Sequence, residues 1–96
     1  MIKHVVCFKL KDNSEENLLK TRDLILSMNG KVSIMKNLEV GVDFLHSPRS
    51  FDIILEVLLE NKEALDIYQN DPYHCGVVKK YLGEAAKETI AIDYEI

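Results

Sequence analysis

The sequence lacks the features that mark membrane proteins and nucleic-acid-binding proteins. No apolar run approaches the roughly 20 residues that cross a bilayer, and the opening segment 1–6 lacks the layout of a secretory signal. Basic residues are few: 12 Lys and Arg stand against 16 Asp and Glu, and the formal net charge is −4. The nearest approach to a basic cluster is Lys79-Lys80. We therefore expect neither a membrane nor a nucleic acid among the partners of this chain.

Cysteine is scarce, and no metal-ligand spacing is present. Cys7 and Cys75 stand far apart and form neither a CxxC nor a zinc motif. His4, Glu56 and His74 are likewise dispersed, with no close grouping of ligand residues. We expect reduced thiols in a cytoplasmic protein, no metal site and no cofactor.

Linkers, repeats and low-complexity segments are also missing, so 96 residues suit one domain with a single modest core. Regular alternation predicts four strands, over residues 3–11, 38–44, 51–60 and 90–96. Asn13 followed by Glu16 resembles a capping box for a first helix, which Asn29-Gly30 would end. Asn61 is expected to cap a second helix.

The resulting order, β-α-β-β-α-β, predicts an α+β, ferredoxin-like domain with a four-stranded antiparallel sheet. Two helices cover only one face of such a sheet. The other face is also apolar, because the first and third predicted strands carry apolar side chains on both faces. An uncovered apolar face of that size usually marks an interface. We therefore expect a homodimer in which two sheets face each other and enclose a barrel.

A break in the second helix, over residues 68–74, gives the best indication of a site. Asp71 suits the N-cap position and Pro72 the first helical position of the segment that follows. His74 then lies in the first turn, beside unsatisfied N–H groups and the positive end of the helix dipole. That environment favours a neutral imidazole, which accepts a proton or a hydrogen bond.

Three segments together resemble the stress-responsive dimeric A/B barrel family. They are the opening strand Ile2–Lys11, the helix break Tyr68–His74 and the ending Ile92-Asp93-Tyr94-Glu95. The resemblance covers residues 2–95 and implies a ferredoxin-like subunit, a homodimer and an internal cavity. One plant branch, the olivetolic-acid-cyclase type, closes a linear polyketide by aldol condensation without a cofactor.

In that branch the acid/base pair is a Tyr and a His six residues apart across the helix break, which implies Tyr68 and His74 here. A further pocket His matches His4. This sequence departs from the family pattern at Asp71, where a His is common.

Two interpretations of these residues remain open. In the functional one, His74 removes an α-proton from a carbonyl compound and Tyr68 donates to the developing oxyanion. In the other, His74 packs or caps at the break and Tyr68 covers the core.

The cavity is expected to be lined by residues of the first and third strands, with Asp52 or Glu56 as the partner of a buried His4. These expected ligand-binding residues are His4, Val6, Phe8, Ile54 and Glu56. Three functions follow as hypotheses. The first is a homodimer that binds a small apolar molecule, the second is a cofactor-free cyclase or lyase, and the third is a purely structural dimer.

Overall fold

The structure is a computed structural model that describes residues 1–96. The strands are β1 (Ile2–Leu10), β2 (Asn37–Val42), β3 (Ile53–Leu59) and β4 (Ala86–Glu95). The helices are α1 (Glu15–Leu26), α2 (Lys62–Gln69), a π-helical segment (His74–Lys79) and α3 (Lys80–Ala85). The π-helical segment runs directly into α3, so the predicted order with a broken second helix is confirmed.

The strands form one antiparallel sheet in the order β2-β3-β1-β4. β1 is central and pairs with both β3 and β4, whereas β2 and β4 are the edge strands. In this register His4 lies opposite Val57 on one side and Asp93 on the other. The ferredoxin-like fold expected from the sequence is confirmed.

The helices pack on one face of the sheet. Along β1 the even-numbered residues are buried and the odd-numbered ones are half-buried. On β3 the pattern runs from Ile53 to Leu59, with the odd-numbered residues buried. The helical face holds the core; the opposite face, which we call the open face, carries side chains that include Ile54, Ile90 and Ile92. An apolar face without a covering layer was predicted, and the structure contains it.

The pairing register corrects the expected cavity lining. We expected Ile54 and Glu56 to face the same cavity as His4. Cys7 lies opposite Ile54, and Val5 lies opposite Glu56. Side chains of directly paired residues share a face, so both lie on the open face, while His4, Val6 and Phe8 lie under the helices.

Caps define the helix ends. Ser14, rather than Asn13, caps α1, with its Oγ accepting from the Asn17 N–H at 3.4 Å. Asn61 caps α2 as expected, since its Oδ1 accepts from the Ala64 N–H at 2.9 Å. The β2–β3 loop begins two residues earlier than predicted, and Phe44 is left 89% exposed within it.

Two tyrosines hold the segment after the break against α1. The Tyr73 hydroxyl lies 2.7 Å from Ser27 Oγ, and the Tyr81 hydroxyl lies 3.2 Å from Thr21 Oγ1. These contacts fix the π-helical segment and α3 over the sheet. None of the helices combines the length and the apolar character that a membrane span requires.

Candidate functional site

A cavity of about 550 Å³ lies within the subunit, between β1 and the broken helix. The cavity that we expected between two sheets belongs to the dimer and stays a prediction. The helices do not cover β4, whose residues are exposed from Lys87 onward. The cavity opens on that side of the sheet, beside Thr89. Its lining residues are His4, Val6, Phe8, Leu55, Gln69, Asn70, His74, Val78, Lys79, Leu82, Gly83 and Thr89.

His74 enters this cavity from the first turn after the break. The Asp71 carboxylate accepts from the N–H groups of Tyr73 at 2.9 Å and His74 at 3.1 Å, which fixes the start of the segment. The ring nitrogen Nδ1 of His74 is buried and has no hydrogen-bond partner. Such an orphaned polar atom is uncommon in a folded protein.

The surroundings of His74 favour its neutral form. Burial lowers the pKa of the imidazole, and electrostatic repulsion from Lys79 and His4 lowers it further. Asp71 and the backbone carbonyl of Gln69 act in the opposite direction. The net effect places the pKa of His74 below the ordinary histidine value, which favours the neutral imidazole.

His4 is the second imidazole on the cavity, and its partner differs from the expected one. Its Nδ1 hydrogen-bonds to the Asp93 carboxylate, which lies directly opposite on β4. Neither Asp52 nor Glu56 takes that role. Asp52 instead accepts from the Leu10 N–H at 2.8 Å, and Glu56 lies on the open face, 3.8 Å from the Lys3 ammonium. Because a carboxylate only accepts, Nδ1 carries the proton, and in the neutral ring Nε2 is the acceptor.

Tyr68 lies between the two histidines and is fully buried. Its ring centroid is 4.4 Å from that of His74 and 5.5 Å from that of His4. The hydroxyl is directed at Met28 Sδ, 4.0 Å away, and does not line the cavity. Burial, reinforced by the charge of Asp71, raises the pKa of Tyr68 well above its usual range. The Tyr68 ring therefore packs behind the two histidines, and its hydroxyl is directed away from the cavity.

The structure thus brings together His4, Val6, Phe8 and His74 around one cavity, with Tyr68 behind them. Sequence reasoning did not single out Asp93 or Lys79 as site residues. Asp93 required the β1–β4 register. Lys79 lies five residues after His74, which in an α-helix is about 140° away. A π-helix instead hydrogen-bonds from i to i+5 and brings such residues towards one side.

Comparison with known proteins places the chain in a family. Residues 2–96 match the family model described as Stress responsive A/B Barrel Domain. The chain belongs to that family.

Solved structures support the same fold for this A/B barrel domain. A dimeric protein of unknown function from Bacteroides fragilis is 28% identical, with a TM-score of 0.80 over 99% of this chain and 95% of its own. A protein from Arabidopsis thaliana is 25% identical, with a TM-score of 0.83 over 100% of this chain and 95% of its own.

A hydroxynitrile lyase from Passiflora edulis is 17% identical, with a TM-score of 0.80 over 99% of this chain and 92% of its own. At that identity the likeness concerns the fold alone. None of the curated proteins matches the sequence.

Proposed function

We propose that this A/B barrel domain is a homodimer that binds a small apolar molecule in the cavity between β1 and the broken helix. The observation that carries the proposal is the lining itself. A set of apolar side chains from the sheet, the π-helical segment and α3 lines the same cavity as two imidazoles. That set comprises Val6, Phe8, Leu55, Val78 and Leu82. A cavity of this volume, in which an apolar patch lies beside several polar groups, is within the size range of small-molecule sites.

The open face supports the homodimer. It carries Ile90 and Ile92 on β4, which are 51% and 61% exposed, beside the half-buried Val5 and Cys7 of β1. Contiguous apolar surface of this kind marks an interface in a soluble domain. A second copy offers the same apolar face, and the Bacteroides relative is described as dimeric.

Two glycines provide a matched test of binding. Gly83 lines the cavity, whereas Gly76 does not. A Cβ added at either position meets no atom within 4 Å, so both accept a side chain without strain. We expect titration with acetophenone, a neutral apolar ketone, to shift the NMR signals of cavity residues in the wild type. Gly83→Leu should weaken this binding by filling the cavity mouth, and Gly76→Leu should leave it unchanged.

The binding proposal fails if acetophenone shifts no cavity signal, or if both glycine variants bind as the wild type does. A purely structural dimer would give that result. The cavity itself argues against the structural alternative, because a subunit that serves only to form a dimer has no need for an open space bordered by two histidines.

A second candidate is a cofactor-free lyase or cyclase with His74 as the general base. The observation that favours it is the imidazole of His74, whose buried Nδ1 has no hydrogen-bond partner and whose pKa is lowered by burial. In such a reaction His74 takes a proton from the carbon next to a carbonyl, and the electron pair of the C–H bond moves onto the carbonyl oxygen. Gln69 and Lys79 border the cavity, and the amide of the first and the ammonium of the second are donors for that oxygen. A hydroxynitrile lyase shares this fold.

Hydrogen–deuterium exchange separates catalysis from binding. In heavy water, proton removal by His74 followed by return of a deuteron labels the methyl group of acetophenone. We expect exchange above the buffer rate with the wild type and loss of that excess with His74→Gln. If acetophenone binds but its protons exchange only at the buffer rate, the catalytic proposal fails and the binding proposal stands.

A further inference from the structure

The cavity contains no acidic side chain, although the protein as a whole is acidic. The chain carries 16 Asp and Glu, yet none of them is among the residues that line the cavity. The ionisable groups that do line it are His4, His74 and Lys79. Lys79 is therefore the lining residue that contributes a positive charge, because the surroundings of His74 favour its neutral form and His4 is paired with Asp93.

Lys79 is a cation without a protein counter-ion. Several basic side chains, among them Lys3, Lys9 and Lys62, lie within 4.0 Å of a carboxylate, but Lys79 does not. Of the nearby acids, Asp93 is bonded to His4, and Asp71 accepts from the backbone N–H groups of Tyr73 and His74. The positive charge of Lys79 reaches the reactive part of the cavity, since it acts on the imidazole of His74.

The scaffold holds Lys79 where a ligand would meet it. Lys79 is the last residue of the π-helical segment, and that segment and α3 are tied to α1 by the hydroxyls of Tyr73 and Tyr81. Thr89 borders the same cavity and adds a hydroxyl as a hydrogen-bond donor.

We propose that the ligand of this cavity is an apolar molecule bearing one carboxylate, and that Lys79 selects it by pairing with that group. The inference rests on the proposed binding function and adds the substrate class. One lysine without a neighbouring arginine suits a single negative charge better than a phosphate, which usually gathers several basic groups or backbone N–H groups. The apolar part of the ligand then lies against Val6, Phe8 and Leu82.

A pair of probes that differ only in charge tests this selection. Phenylacetate and phenylacetamide have nearly the same shape, and only the first is an anion at neutral pH. We expect phenylacetate to bind the wild type about two- to fivefold more tightly, the range for an exposed ion pair. Lys79→Gln should abolish the preference. Lys80→Gln, which removes the same charge one residue along and outside the cavity lining, should keep it.

The outcomes distinguish the two proposals. Equal binding of both probes to the wild type, or a preference that survives Lys79→Gln, overturns the role of Lys79 and leaves the cavity as a binding site. If neither these probes nor acetophenone shifts the signals of the cavity residues, the binding function and the carboxylate preference both fail. Loss of the preference in Lys80→Gln as well would assign the effect to the general charge of the helix and overturn selection by Lys79.

Discussion

Asp93 lies directly opposite His4 in the β1–β4 pair, and its carboxylate accepts a hydrogen bond from Nδ1 of the imidazole. The imidazole is only 7% exposed, whereas Asp93 is at the exposed edge strand. This bond satisfies a polar group that is otherwise buried on an apolar strand face. It also fixes which ring nitrogen of His4 is the acceptor.

Removal of this partner should destabilise the fold. We expect Asp93→Ala to lower the free energy of unfolding by about 1 to 3 kcal/mol, because it leaves the buried Nδ1 of His4 unsatisfied. The measurement is urea denaturation near neutral pH. Glu95→Ala is the matched control, because Glu95 pairs with Lys62 in an exposed contact on the same strand. Such a pair contributes about 0 to 1 kcal/mol. An equal loss in both variants would contradict the prediction.

Tyr68 should tolerate loss of its hydroxyl but not of its ring. The hydroxyl has only Met28 Sδ as an acceptor, at 4.0 Å, and thioether sulfur is a weak acceptor. Tyr68→Phe should therefore change the free energy of unfolding little, whereas Tyr68→Ala should lower it by about 3 to 5 kcal/mol through the cavity it leaves. Thermal or urea denaturation measures both. In the exchange assay, Tyr68→Phe should retain activity if the phenol stays directed away from the ligand; a total loss would place the hydroxyl at the substrate.

Acid should reduce stability through His74. Its pKa is lower in the folded protein than in the unfolded chain, so the unfolded chain binds the proton more readily. The stabilising contribution is complete above the unfolded value of about 6.5 and is lost as pH falls towards the lower folded pKa. We expect His74→Gln to flatten the decline in the free energy of unfolding over that window, measured by urea denaturation at a series of pH values. His46→Asn removes an exposed imidazole whose one charged neighbour is Asp43, 3.6 Å away. This variant should show the same decline as the wild type, and a flattened decline in it would contradict the assignment to His74.

Lys79 should control the protonation of His74. Burial is the largest cause of the lowered pKa, and Lys79 is the next. Lys79→Gln should therefore raise the pKa of His74 while leaving it below the ordinary histidine value, because burial and His4 still act on it. NMR titration of the imidazole signals measures the pKa of His74 directly. Lys80→Gln is the control, because it removes the same single positive charge. An unchanged pKa in Lys79→Gln would show that the ammonium is screened from the ring.

The fold was predictable from the sequence, and so was the position of the helix break. Alternation along β1 and β3 defines the strands, and Asp71 with Pro72 marks the restart of the helix, because caps and fixed backbone angles act over a few residues. The face that each strand presents to the helices was not predictable for Ile54 and Glu56. Both faces of β3 are rich in apolar residues, so alternation alone does not say which one is covered.

The partners within the site depended on longer-range geometry. Asp93 is 89 residues from His4 in sequence, and only the strand register brings them together. The position of Lys79 at the cavity depends on the π-helix. We recognised no sequence pattern in this segment that predicts its wider turn. The direction of the Tyr68 hydroxyl depends on packing against Met28, which propensity and spacing do not encode.

The last prediction concerns the dimer and uses two isoleucines that are similarly exposed in the subunit. Ile92 is 61% exposed on the open face, and Ile67 is 56% exposed on α2. If two sheets pack face to face, Ile92 becomes buried and Ile67 does not. A two-fold symmetric interface contains each residue twice, and burying an Ile contributes about 1.5 to 3 kcal/mol. Ile92→Lys should therefore weaken dimerisation by about 3 kcal/mol or more, since it also places two charges in an apolar interface.

We expect light scattering at micromolar concentration to show a dimer for the wild type and for Ile67→Lys, and a monomer for Ile92→Lys. Circular dichroism should show that all three proteins remain folded, because Ile92 makes no contribution to the core of the single subunit. A monomeric wild type would remove the dimer altogether. If Ile92→Lys is still a dimer, the interface lies elsewhere than on the open face. The exposed isoleucines of β4 would then not be buried by dimerisation.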